Sequence, residues 1–172
     1  KKLLHKKNVQ NGDVVLAIPS SGVHSNGYSL IRSIIKNKKL TKEIKKQLLI
    51  PTKIYTKEVL NLIKNNLIHS AAHITGGGLI DNLSRSVPED LSLNLDLAKI
   101  KTRSIFKWIK SNNVSDHEMI KTFNCGVGFC LIVKRKNTNR IKRYFTKEYM
   151  PYEIGFISKS KNKVNTFNKI IW

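Results

Sequence analysis

Three short segments of this chain concentrate the residue types that do chemistry. The first, Pro19-Ser20-Ser21-Gly22-Val23-His24-Ser25-Asn26-Gly27, sets two glycines, three serine hydroxyls, an amide and an imidazole in one short run. Glycine lets the main chain approach a ligand, and the unpaired N–H groups that open a following helix favour an anion. It is not a P-loop, because no Gly-Lys-Ser/Thr closes it. An elaborate turn with an Asn or Ser helix cap accounts for the same residues equally well on local chemistry alone.

The second segment is His73-Ile74-Thr75-Gly76-Gly77-Gly78. Three consecutive glycines are costly to order, and a plain turn needs fewer, so close approach to a phosphate or to another loop is the better explanation. Arg85, one helical turn beyond Asn82, offers a forked contact to an anionic group. The third is Phe123-Asn124-Cys125-Gly126-Val127-Gly128-Phe129, whose glycines mark either a strand bulge or a narrow wall beside a ligand. Nothing near Cys125 suggests an activating base, so both cysteines are expected to be buried thiols that do not pair. An odd offset along one strand would place Cys125 and Cys130 on opposite faces. His69 and His73 share a face at helix or strand spacing, but no HExxH and no third ligand accompanies them, so no metal site is expected. No Ser-His-acid arrangement and no paired carboxylates can be assembled.

The elements that must position these residues alternate between strand and helix. Apolar runs predict strands over residues 14–18, 68–75, 127–133 and 152–157, and Leu91, Leu93, Leu95 and Leu97 alternate with polar residues as a half-buried strand does. Helical spacing predicts helices over 28–38, 42–49, 55–63, 79–83, 105–110 and a basic one over 137–147. Ser115 and Glu118 form a capping-box pair that starts a helix running to Thr122. Residues 159–168 read as a polar tail, with Ile170-Ile171-Trp172 as an edge strand. The fold class that follows is α+β, a layered domain with a mixed β-sheet covered by helices.

At 172 residues and 40% hydrophobic content the chain can bury the core of one domain, 1–172, with a centre over about 12–157 and a tail or edge strand over 158–172. It opens on Lys1-Lys2 with no initiator Met nearby, so a piece of a longer protein is expected. Leu3-Leu4 is too short for the apolar part of a signal peptide, and no run of about 18 apolar residues is present to span a membrane. The expectation is a cytoplasmic protein with no membrane partner. Thirty-two basic residues against 11 acidic give a formal charge of +21, which would attract any polyanion. That charge is mostly lysine, spread along the chain, with few aromatics interleaved as stacking platforms. Lys, Asn and Ile share AT-rich codons, so composition explains it without a specific nucleic-acid partner.

Taken together and in order, residues 20–30, Pro51-Thr52-Lys53-Ile54-Tyr55, residues 72–78 and residues 123–128 closely resemble the phosphoribosylformylglycinamidine cyclo-ligases (aminoimidazole ribonucleotide synthetases), over about Gly12 to Ile157. The resemblance implies the C-terminal domain of an ATP- and Mg²⁺-dependent ligase of purine biosynthesis. That enzyme closes the imidazole ring of aminoimidazole ribonucleotide from formylglycinamidine ribonucleotide, releasing ADP and phosphate. It implies a homodimer, and an N-terminal domain absent from this chain that holds most of the ATP and metal site. Carried over residue by residue, it makes Ser20, Ser21, Gly22, Ser25, Asn26, Gly27, Thr75, Gly76, Gly77, Gly78, Arg85 and Asn124 candidates for substrate or phosphate binding. The amides of Ser21, Gly22, Gly77 and Gly78 would grip phosphate. His24 becomes the candidate for proton handling or for steadying charge on the transferred phosphoryl. Val23 departs from the proline common at its position. Another superfamily member, such as a formylglycinamidine synthetase or a small-molecule kinase, and a basic nucleic-acid-binding module are the alternatives.

Overall fold

Val14–Pro19 and Val127–Val133 are apolar with little alternation, and such strands belong in the middle of a sheet that is covered on both faces. The computed structural model describes residues 4–172 and puts them there. Lys1, Lys2 and Leu3, hence the opening lysine pair and half of Leu3-Leu4, lie outside the described residues.

The strands are β1 (Val14–Pro19), β2 (Ser70–His73), β3 (Ser92–Asp96), β4 (Val127–Val133), β5 (Tyr152–Ser158) and β6 (Val164–Phe167). They form one sheet in the order β2-β4-β1-β5-β3-β6. Every neighbouring pair is antiparallel except β3 and β6, so the sheet is mixed, as expected. One consequence governs the site. β1 and β2 both run antiparallel to the β4 between them, so they are parallel to each other. Pro19 at the end of β1, His73 at the end of β2 and Val127 at the start of β4 therefore leave the sheet at the same end.

The helices are α1 (Tyr28–Ile35), α2 (Lys42–Leu48), α3 (Thr56–Lys64), α4 (Gly78–Ser84), α5 (Ser104–Lys110), α6 (Asp116–Thr122) and α7 (Thr138–Lys142). On one face of the sheet Val15, Ala17, Leu93, Leu95 and Ile132 pack against Ile31, Leu79, Leu83, Phe106 and Met119 of the helices. On the other, Val14, Leu16, Ile18 and Leu131 meet Val59 and Leu62 of α3 and Ile141 of α7. Each fully buried side chain of this size stabilises the fold by about 1.5–3 kcal/mol relative to exposure. Ser115 caps α6 as its spacing predicts, its side chain accepting the Glu118 N–H at 3.1 Å.

Four local expectations need correction. The edge strand is β6, inside the stretch read as a polar tail, and not residues 170–172. It is a short edge strand, half-buried over Val164 and Asn165 and exposed over Thr166 and Phe167, and Asn165 reaches Asn94 Oδ1 at 3.1 Å. Ile170 and Trp172 instead pack on the core, with Trp172 Nε1 donating to Asp116 at 2.9 Å. The basic helix over 137–147 shortens to α7, flanked by 3₁₀ turns, because Ile141 is the single buried anchor in it. Ser92 and Asn94, expected at a solvated face of β3, are buried, and Asn94 Nδ2 bonds Ser158 Oγ at 2.8 Å. Cys125 lies in the turn before β4 and not in the strand, so both free thiols point into the same core. Burial pushes the Cys125 thiol up to about 12, which suits an inert group.

Candidate functional site

The three glycine-bearing segments meet at the common end of β1, β4 and β2. Ser20 N–H donates to the Gly126 carbonyl at 2.8 Å, and Ile74 N–H to the Gly128 carbonyl at 3.0 Å. Asn124 Nδ2 donates to the Gly22 carbonyl at 3.0 Å, while its Oδ1 accepts the Gly126 N–H at 2.9 Å. Asn124 is wholly buried, so it braces the 20–27 bend from beneath and does not line a cleft. The 75–78 bend is braced from its own helix: Asn82 Nδ2 reaches the carbonyls of Thr75, Gly76 and Gly78 at 2.7–3.3 Å. The two bends lie side by side. A Cβ built on Gly76 would stand 4.0 Å from Asn26 Oδ1, and the rings of His24 and His73 are 6.3 Å apart.

Two glycines show why the run could take no other residue. Gly78 has φ +69°, and a Cβ there would sit 1.9 Å from the Ile120 carbonyl oxygen of α6. A Cβ on Gly128 would sit 1.9 Å from the Tyr55 hydroxyl and 2.8 Å from His24 Cε1. Gly78 thus serves helix packing, and Gly128 is the gap through which Tyr55 and His24 approach the strand.

His24 is the centre of the site. It is buried, with φ +57°, and its Nε2 accepts the Ser21 N–H at 3.2 Å. An accepting Nε2 puts the proton on Nδ1, and that atom is buried with no partner among the described residues. Ser20 Oγ, also buried, is in the same position. Burial first, then His73 and Arg103, lower the His24 pKa to about 4. The imidazole is therefore neutral at pH 7 and presents a buried N–H donor. Such unsatisfied groups cost about 1–3 kcal/mol each unless a ligand or water meets them.

The expected phosphate amides divide. Ser21 N–H is spent on His24, and Gly78 N–H donates to the Thr75 carbonyl at 3.1 Å, so neither matches the role given it from sequence. Gly22 and Gly77 carry no such bond. Ser25 is exposed, and Asn26 and Gly27 half-exposed, at the mouth beside Thr75 and Gly76. Arg85 does not join them. Its guanidinium folds back along α4 to Asp81 at 3.0 Å and Asn82 at 3.2 Å.

Four residues at the site escaped sequence reasoning. Tyr55 and His73 face each other at 6.0 Å and, with Phe129 and Lys53, line a largely apolar cavity of about 440 Å³. Tyr55 Oη donates to the Pro19 carbonyl at 2.8 Å, and Lys53 stands over the Tyr149 ring at 4.3 Å. Ser21 Oγ donates to the Pro51 carbonyl at 2.7 Å and accepts the Lys53 N–H at 3.1 Å, pinning the 50–54 strap across the bend. On the other side of that strap is a polar cavity of about 370 Å³ lined by Ser21, Gly22, Lys46, Gln47, Arg103 and Ser104. The segment carrying Arg103 is held there because Gly126 leaves room for the Lys101 carbonyl: a Cβ would stand 2.5 Å from it. Each of the four stood inside a quoted segment, Lys53 and Tyr55 in residues 51–55, His73 in 73–78 and Phe129 in 123–129, but none was given a role; Arg103 belongs to no motif.

Among the described residues, no group of three His, Cys, Asp or Glu side chains comes together to hold a metal ion. The site's donors suit phosphate oxygens and not a divalent cation. No helix among those residues is long and apolar enough to cross a membrane.

The model of the AIR synthase related protein, C-terminal domain family matches residues 10–166. The chain is 40% identical over 171 residues to a phosphoribosylformylglycinamidine cyclo-ligase of Streptococcus pneumoniae serotype 4, covering 94% of this chain and 50% of that protein. It is 42% identical over 160 residues to one of Clostridium novyi, covering 91% and 48%. The chain thus spans about half the length of these curated relatives. Among solved structures, thiamine-monophosphate kinase from Stenotrophomonas maltophilia superposes with TM-score 0.67 at 14% identity, over 99% of this chain and 54% of that one. T. maritima PurL complexed with ADP does so with TM-score 0.57 at 12% identity, over 99% and 26%.

Proposed function

The chain belongs to the AIR synthase related protein C-terminal domain family, and from that membership we propose that it is the C-terminal, substrate- and phosphate-binding half of an ATP-dependent cyclo-ligase. The reaction in this reading converts formylglycinamidine ribonucleotide to aminoimidazole ribonucleotide. The formyl oxygen is activated by the γ-phosphoryl of ATP, the amidine nitrogen attacks that carbon to close the ring, and phosphate leaves with the oxygen while ADP is released. ATP and Mg²⁺ would be held mostly by an N-terminal domain of the intact, dimeric, cytoplasmic enzyme, and the residues here supply no ligand set for the metal.

The observation that carries the reading is the meeting of the 20–27 and 75–78 bends around a buried, neutral His24. Its Nδ1–H is aimed by the Ser21 contact and cannot act as an efficient base near pH 7, since its pKa of about 4 lies too far below the working pH. It serves instead as a preorganised neutral donor to the oxygen that gathers negative charge as phosphoryl moves. Gly22 and Gly77 amides, with Ser20, Ser25, Asn26 and Thr75, grip phosphate oxygens, and Gly27 and Gly76 keep the walls close. Asn124 and Gly78 hold those walls in place.

A chimera tests this. The C-terminal half of the Streptococcus pneumoniae cyclo-ligase is replaced by this chain, and formation of aminoimidazole ribonucleotide is followed. Turnover that falls about 10²-fold or more in the His24→Ala chimera supports the reading. A folded dimeric chimera that binds formylglycinamidine ribonucleotide yet turns over equally with alanine at position 24 removes His24 from the chemistry. One that never binds the ribonucleotide removes the function.

A further inference from the structure

Resting on that reading, we propose that the polar cavity between α2 and α5 is a second phosphate subsite, with Arg103 and Lys46 as its cationic walls. It takes the phosphate monoester of the bound substrate while the reacting end lies at His24.

One residue, Ser21, touches both the cavity and His24. Ser21 and Gly22 line the cavity on one side, and Ser21 is also the residue that aims His24. A ligand seated against the Ser21-Gly22 main chain is therefore one residue away from His24. The volume of about 370 Å³ accommodates a phosphate group with its first waters. Opposite the bend stand Arg103, about one-third exposed, and Lys46. Two neutral donors stand in the lining as well: Ser104 Oγ, which donates to Gln47 Oε1 at 3.0 Å, and the Gln47 amide.

One carboxylate, Glu43, lines the cavity, and a second, Glu148, reaches Arg103 from outside it. Glu43 is occupied by Gln47 Nε2 at 2.8 Å. Glu148, itself 61% exposed, holds Arg103 at 3.2 Å through one guanidinium nitrogen. An exposed single-point ion pair is worth little, roughly 0–1 kcal/mol, whereas a fork to a phosphate dianion is one of the stronger charge-assisted contacts. Phosphate can displace Glu148 at small cost. Arg103 also helps to lower the His24 pKa, after burial and His73, so the cation of the cavity acts electrically on His24.

Titration calorimetry of the full chain with inorganic phosphate is the test, with melting curves to confirm that each variant is folded. Arg103→Gln weakens phosphate binding by about tenfold, and Lys46→Gln by a few-fold. Glu148→Gln strengthens binding, because the competing carboxylate is gone. Lys107→Gln, an exposed cation on the same helix, leaves it unchanged. The proposal is overturned if Arg103→Gln binds as tightly as the parent chain, or if Lys107→Gln weakens binding as much. Should Arg103→Gln fail to fold, the Lys46→Gln and Glu148→Gln shifts decide, and the absence of both overturns it. The same titration with formylglycinamidine ribonucleotide separates the two claims. Arg103-dependent phosphate binding without ribonucleotide binding spares the subsite and sinks the proposed function. Ribonucleotide binding indifferent to Arg103 does the reverse.

Discussion

The two ends of the sheet each carry a histidine, and they are built to opposite specifications. At the start of β1, His69 Nδ1 meets Asp13 Oδ2 at 2.6 Å, and the same carboxylate oxygen accepts the Gln10 N–H at 2.9 Å. Asp13 is 3% exposed, and its buried Oδ2 meets both the His69 ring and the Gln10 N–H. At the other end His24 has no acid behind it, and its buried Nδ1 and the nearby Ser20 Oγ are unmet by the protein. A fold can close a polar cluster, as the Asp13 end shows. Leaving one open within the same sheet is a cost of about 1–3 kcal/mol per group, which folding alone does not require. Among the described residues Thr138 Oγ1 on α7 is the one other such atom, so it is the pairing of His24 and Ser20 at one end that supports the ligand site proposed there.

The largest way to break this contrast is to disturb the packing that holds the open end. Gly78→Ala combines a positive φ with a contact of 1.9 Å to the Ile120 carbonyl, which is backbone and cannot swing away. The expected loss is about 3 kcal/mol or more in a urea titration. Gly12→Ala, at the closed end, has a similar φ of +86° but nothing within 4 Å, so about 1 kcal/mol is expected. Equal losses would mean that conformation alone, and not the α4–α6 contact, demands the third glycine. Next comes Asp13→Ala, which orphans the Gln10 N–H and the His69 ring together, at about 2–3 kcal/mol, with phosphate affinity unchanged. A matching loss of phosphate binding would show that the two ends are coupled.

Acidification sharpens the comparison further. The folded-state pKa of His24 is lowered from 6.5 to about 4, so between those values the unfolded chain binds a proton that the folded chain refuses. His24 therefore leaves stability untouched above about pH 6.5 and subtracts from it as pH falls toward 4. The slope approaches one proton, about 1.4 kcal/mol per pH unit at most. His24→Asn, which tolerates the positive φ, flattens that part of the profile. A variant whose urea midpoint falls with acid as steeply as the parent's would place the acid lability elsewhere.

Much of this was legible in the residues. The apolar runs of β1 and β4, the capping pair at Ser115 and Glu118, and the glycine-punctuated bends are local signals, and local signals survive into the fold. Their meeting depends on β4 lying between β1 and β2, a pairing of residues more than fifty apart that no local pattern encodes. Tyr55, His73 and Arg103 were given no role for that reason: each reads as an ordinary helix-start, strand or loop residue until the sheet order brings the first two against His24 and the third beside Ser21. The run of three glycines misled in part, since Gly78 answers to α6 and not to a phosphate. Strand β6 was lost because four residues with no periodic pattern, set among lysines and asparagines, look like a tail unless Asn94 stands beside them.

Arg85 gives the finest test, because sequence chemistry and geometry disagree about it. Its fork suits an anion, yet both of its contacts run back along α4, to Asp81 and to Asn82. The Asp81 pair is an i,i+4 surface pair with both side chains about 60% exposed, worth no more than about 0.5 kcal/mol. Arg85→Gln should accordingly shift the urea midpoint barely at all and leave phosphate affinity within about twofold, since Asn82, not Arg85, braces the 75–78 bend. A fall of tenfold in phosphate affinity with unchanged stability would show that the guanidinium swings off Asp81 to reach the ligand, and would enlarge the open end of the sheet by one helix.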